Sequence, residues 1–198
     1  MLKLRQGCRV PFPELLNEAY QRDETRIIAN VDADKISDIV SHFIAMHNEP
    51  LFFILELPSN KKDENATPEG EVSSFHKDIY FIDGCSQSKA NDIWSRVSEI
   101  LINDGLCSFG FGAHYSKDEI MIGKYNVLTL LSPQLQKFDG FFESHNIVET
   151  DRLITAWTTF TKDHPGESMR IKTNEKDIFD VVDMLKDSGL YFYQRIDD

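Results

Sequence analysis

Residues 77–111 decide the fold. They open with Lys77-Asp78-Ile79-Tyr80-Phe81-Ile82 and turn through Asp83-Gly84-Cys85-Ser86. A stretch from Ser88 to Asp104 follows, then Gly105 and Leu106-Cys107-Ser108-Phe109-Gly110-Phe111. The first and last runs are β-branched, aromatic and short, which predicts strands. Between them Ala90, Ile93, Trp94, Val97, Ile100 and Leu101 recur at three- and four-residue steps, which predicts one apolar face of a helix. Gly105 is expected to end that helix in the left-handed C′ conformation.

Working outward, the same order of elements appears twice more. Arg26 to Val31 reads as a strand, and Asp32 or Asp34 as a helix cap. Ile36, Ile39, Val40, Phe43 and Ile44 form a helical face. Leu51-Phe52-Phe53-Ile54-Leu55-Glu56-Leu57 is apolar at nearly every position, which predicts a central strand covered on both sides. Toward the end, Met169–Lys172 reads as a strand. Asn174 is a potential cap, Ile178, Val181, Val182 and Leu185 line a helix, Gly189 stops it, and Leu190–Tyr193 forms a strand. Between these units, residues 119–131 read as a hairpin around Gly123-Lys124, Pro133–His145 as a short helix, and Arg152–Thr161 as a strand. The polar, aperiodic stretch 58–75 reads as a mobile loop.

The expected fold class is therefore α+β: a mixed β-sheet with helices packed on one face, built from repeated strand-helix-strand units. No linker divides the chain. Residues 1–198 read as a single domain, with two similar fused halves as the alternative.

Composition bounds the function. Apolar residues make up 41% of the chain, with 14 phenylalanines, enough for a packed core. A net charge of −12 repels phosphate backbones and anionic lipid, which argues against nucleic acid and membrane surfaces and leaves a basic protein as a fitting partner. Cys8, Cys85 and Cys107 are few and far apart, so neither a disulfide framework nor a zinc site is indicated. Residues 1–9 lack the apolar core of a secretory signal, and a cytoplasmic location is expected.

Three groups bear on chemistry. Cys85, just ahead of a helix, would have its thiol pKa lowered by the helix dipole, but no base lies beside it in sequence. His114, Asp118 and Glu119 offer an imidazole and two carboxylates, short of the complete ligand set a metal requires. Phe109-Gly110-Phe111-Gly112 lacks the third glycine of a dinucleotide fingerprint, and its glycines read instead as places where a large neighbour packs. No cofactor or metal is therefore expected, and no residue is assigned as catalytic.

Two acidic groups remain. On the last helix Asp180, Asp183 and Asp187 fall opposite the apolar cluster, with a solvated face as the ordinary explanation. Asp139, Glu143, Glu149 and Asp151 form a second group, in which Phe142 would serve as an aromatic anchor for a basic partner unless it is core. Small, acidic, α+β and without catalytic signatures, the chain resembles in general type the bacterial immunity proteins that neutralise toxins. That resemblance rests on no residue motif and implies a non-enzymatic protein-binding module. The competing reading is an enzyme using Cys85 or the group His114, Asp118 and Glu119.

Overall fold

Along the apolar run Leu51–Leu57 the two sides differ: Leu51, Phe53, Leu55 and Leu57 are sealed from solvent, while Phe52 and Glu56 remain partly exposed. The computed structural model describes residues 1–58 and 76–197. In it this run is strand β4 of a nine-stranded sheet. In chain order the other elements are β1 (Cys8–Arg9), β2 (Ala19–Arg22), β3 (Arg26–Asn30), α1 (Ile36–Ala45), β5 (His76–Cys85), α2 (Gln87–Asn103) and β6 (Ser108–Ala113). They continue with β7 (Glu119–Ile122), β8 (Val127–Leu131), β9 (Val148–Glu149), β10 (Glu167–Ser168), α3 (Ile178–Met184) and β11 (Tyr191–Asp197).

The large sheet has the order β11-β5-β4-β6-β7-β8-β3-β2-β9, and β1 pairs with β10 separately. Every pairing is antiparallel except β2 with β9, so the sheet is mixed. Register carries one apolar row across it. Phe53 faces Ile82 on one side and Phe111 on the other, Phe111 faces Ile120, and Ile120 faces Leu130. The Trp94 ring of α2 lies 5.7 Å from Phe109 and 6.3 Å from Phe111, closing the core over this row. Each such side chain contributes ~1.5–3 kcal/mol by leaving water.

Local chemistry explains most boundaries. The Ser86 hydroxyl accepts the Lys89 N–H and starts α2, while Asp177 and Asp180 form a reciprocal capping box on α3. Asn174, expected as that cap, has a left-handed backbone three residues earlier. Neither Asp32 nor Asp34 caps α1; both carboxylates hold Lys3. Gly189 has a φ of +89°, as a helix stop requires. Gly105 has another task. The extended Asp104 ends α2 and takes the Leu106 and Cys107 N–H groups on its carboxylate, while a Cβ on Gly105 would fall 1.9 Å from the Gly7 carbonyl oxygen.

The coarse expectation, α+β around a large mixed sheet, agrees with the structure; some finer ones do not. Met169–Lys172 is not a strand, leaving only the two-residue β10 ahead of α3. Arg152–Thr161 holds a 3-10 turn at Ala156–Thr158 where a strand was expected, and Pro133–His145 forms two 3-10 turns instead of one helix. Leu135, Phe138, Phe141 and Phe142 are nonetheless all buried. The loop expectation for 58–75 lies, from residue 59, outside the described residues.

Arg5 is sealed inside the protein, and among the described residues it forms no salt bridge. Its guanidinium donates to the carbonyls of Leu101 at 2.7 Å, Gly123 at 2.9 Å and Ile102 at 3.2 Å, with Cys107 slightly farther, and lies over the Phe109 ring. Five fixed donors aimed at carbonyl oxygens satisfy a buried cation that an apolar site would reject.

Candidate functional site on the outer sheet face

The side of β4, β5 and β6 facing away from Trp94 carries rings in a row. Tyr193 meets Phe81 at 5.2 Å, Phe81 meets Phe52 at 5.7 Å, and Phe52 meets His114 at 5.3 Å. Four neighbouring strands or their ends thus share an aromatic ladder. Gly112 makes room for it: a Cβ there would stand 2.1 Å from the Phe52 ring. The sequence expectation that these glycines accommodate a large neighbour holds at Gly112, while at Gly110 the nearest obstacle is the Ile120 carbonyl oxygen; on this side of β4, Ile54 is buried and Phe52 partly exposed. Tyr193 is 58% exposed and Phe52 and Phe81 are half-buried, with no described helix packed over them.

Two hollows open on this face. The larger, about 540 Å³, is lined by Glu56, Lys77, Met121, Lys124, Thr129 and Trp157 among others, with Lys77 and Glu56 joined at 3.0 Å. The smaller, about 210 Å³, is lined by Phe52, Ala113, His114, Lys117, Asp118 and Glu119. Burial, reinforced by the charge of Glu56, holds the Glu119 carboxyl above its ordinary pKa.

His114, Asp118 and Glu119 therefore border one hollow, but their chemistry is divided. Just ahead of β7 the Asp118 carboxylate turns inward, where Oδ2 lies 2.9 Å from His47 Nε2 and also contacts Lys137. The His47 Nδ1 donates to the Phe43 carbonyl at 2.7 Å; burial, and secondarily Lys137, hold its imidazole below the usual range. His114 leans toward Asp83, 3.5 Å away. Cys85 is wholly buried, and burial raises its thiol pKa, the reverse of the expected helix-dipole effect. Among the described residues, no three His, Cys, Asp or Glu groups come together to hold a metal ion. Nor is any helix long and apolar enough to cross a membrane.

The acidic residues separate into spent and available charge. Asp180 belongs to the capping box of α3 and Asp183 pairs with Lys186, whereas Asp187, expected on the same helix, lies in the turn beyond its end at Met184 and takes Arg96 at 2.9 Å, which holds its carboxyl below the ordinary range. Each of these carboxylates is thus answered from within the chain. Asp139 is bound to Arg22 at 2.6 Å. Phe142 is core, stacked on Tyr20 at 5.0 Å, and is not an accessible anchor. Glu143 and Glu149 do converge: the Tyr20 hydroxyl lies 2.5 Å from one carboxylate and 3.4 Å from the other. Burial and the Glu143 carboxylate push the Tyr20 pKa upward. Asp151 is exposed nearby in sequence.

The aromatic ladder escaped sequence reading because Phe52 sits in a uniformly apolar run and Tyr193 lies 112 positions beyond Phe81, joined to it only by the β11–β5 pairing. Alternation in β6, with phenylalanine on one side and glycine on the other, was the available signal. Comparison with family models, with curated proteins and with solved structures finds no match to this chain.

Proposed function

We propose that the protein is a non-enzymatic, acidic protein-binding module of the toxin-neutralising immunity type, engaging a basic protein and neither nucleic acid nor membrane. In this reading it is one cytoplasmic domain. Its strand-helix-strand units place their helices on the buried sheet face, and the other face and the acidic edge serve for contact.

The observation that carries the reading is the meeting of Glu143 and Glu149 at Tyr20. One hydroxyl has one proton to donate, so it cannot satisfy two carboxylates, and an arginine or lysine from outside would gain from both. The chain's net charge of −12 would steer such a partner in from a distance. Val148, 63% exposed on the edge strand beside Glu149, offers apolar contact between the charges. Geometry weighs against the competing catalytic reading, since Cys85 is buried and the Asp118 carboxylate is committed to His47 and Lys137.

The test is capture of partners from a host lysate on the immobilised protein at low and high salt, repeated with a Glu143→Gln/Glu149→Gln variant. A basic protein should be retained at low salt, with affinity falling ~10-fold or more as salt rises from about 50 to 500 mM, and more weakly held by the variant. A complex indifferent to both salt and the two substitutions would refute the reading.

A further inference from the structure

Resting on that reading, we propose that the hollow beside Phe52 receives an arginine or lysine side chain of the basic partner, whose chain lies along the aromatic ladder. Three independent features of the site support this. Phe52 presents an aromatic ring at the wall, a surface that attracts cations through the negative face of its π-system. Glu119 supplies the opposing carboxylate, and among the described residues no lysine, arginine or histidine of this chain stands within ion-pair distance of it. The ladder then continues from Phe52 through Phe81 to Tyr193, so the surface extends across several strands, as suits a polypeptide more than a small cation.

Charge decides which ligand fits. Glu56 is already answered by Lys77, but its field still opposes ionisation of Glu119, so a cation entering the hollow relieves a repulsion present in the free protein. Asp83, exposed at the far end of β5 between His114 and the Tyr191 hydroxyl, extends the negative rim. Lys117 also borders the hollow and sets its one positive corner. An anionic side chain would meet Glu119 and the Asp83 rim as well as Lys117, so the balance of charge at the hollow favours a cation.

The experiment uses an unstructured hexa-arginine peptide as probe and hexa-citrulline as its uncharged counterpart. Each is titrated into the isotope-labelled protein at low salt and followed by NMR. The expected result is a set of shifts at Phe52, Phe81, His114, Glu119 and Tyr193 with hexa-arginine only. Affinity at these positions should weaken ~10-fold in Glu119→Gln, as for a hydrogen bond to a charged group, and less in Phe52→Leu. Thermal melts of both variants establish that they remain folded. Shifts confined to Glu143, Glu149 and their neighbours would overturn this inference while leaving the basic-partner reading intact. Absence of hexa-arginine binding anywhere would count against both. Equal binding of hexa-citrulline at the ladder would overturn the assignment of charge to the hollow.

Discussion

The two faces of β4 and β6 are made from alternate residues of the same few strands, yet they serve opposite ends. On one, Phe53, Phe109 and Phe111 are sealed beneath Trp94; on the other, Phe52 and Phe81 remain half in water beside Glu119 and His114. A phenylalanine's position in the alternation, and not its identity, decides whether it is sealed in the core or left partly exposed on the outer face.

The largest expected effect lies on the sealed face. Phe109→Ala should cost ~3–5 kcal/mol in urea unfolding, because it removes a fully buried ring and leaves a hole under Trp94 and Arg5. Phe81→Ala, on the outer face, should cost under ~1.5 kcal/mol in the same assay. Equal losses would erase the distinction between the faces.

The glycines of β6 give an intermediate test. A Cβ on Gly110 would lie 1.9 Å from the Ile120 carbonyl oxygen, a backbone atom that can move only with the sheet, so Gly110→Ala should cost ~1–3 kcal/mol. At Gly112 the obstacle is the end of the Phe52 ring, which can swing aside. Gly112→Ala should therefore destabilise less and chiefly change the ring environment of Phe52 and His114, visible in aromatic NMR spectra.

The smallest effect has a pH signature. The Glu119 carboxyl pKa is raised in the folded state, so this group favours the fold at pH below the ordinary carboxylate range and loses that contribution as pH rises through the raised value. Glu119→Gln should accordingly increase the melting temperature at neutral pH, with the gain shrinking toward acid. A gain of the same size at all pH values would mean that Glu119 is not strained by its charge.

Much of this was legible in advance. Helices α1 and α2 follow from the spacing of Ile39, Val40 and Phe43 and of Ile93, Trp94 and Val97, because helical periodicity is a local property. Asp180 and Asp183 were legible as polar positions of α3, but that the helix ends before Asp187, and that Arg96 answers Asp187 from 91 residues away, was not. Cys85 was read by its helix-proximal position, and burial, a tertiary property, reversed the conclusion. Gly105 looked like a helix stop because glycine serves both left-handed turns and close backbone approaches, and the approach of Gly7 is invisible to any window around residue 105. Glu143 and Glu149 were legible as members of one acidic stretch; that both reach one hydroxyl depends on β2 lying beside β9.

Arg5 also sets an order of events during synthesis. It is made 118 residues before one of its acceptors, the Gly123 carbonyl. Until the ends of α2 and β7 emerge, its guanidinium stays hydrated, although Lys3 can already meet Asp32 and Asp34. A nascent chain arrested shortly before residue 123 should therefore leave the segment around Arg5 more open to protease, and the locking of Arg5 should be a late step.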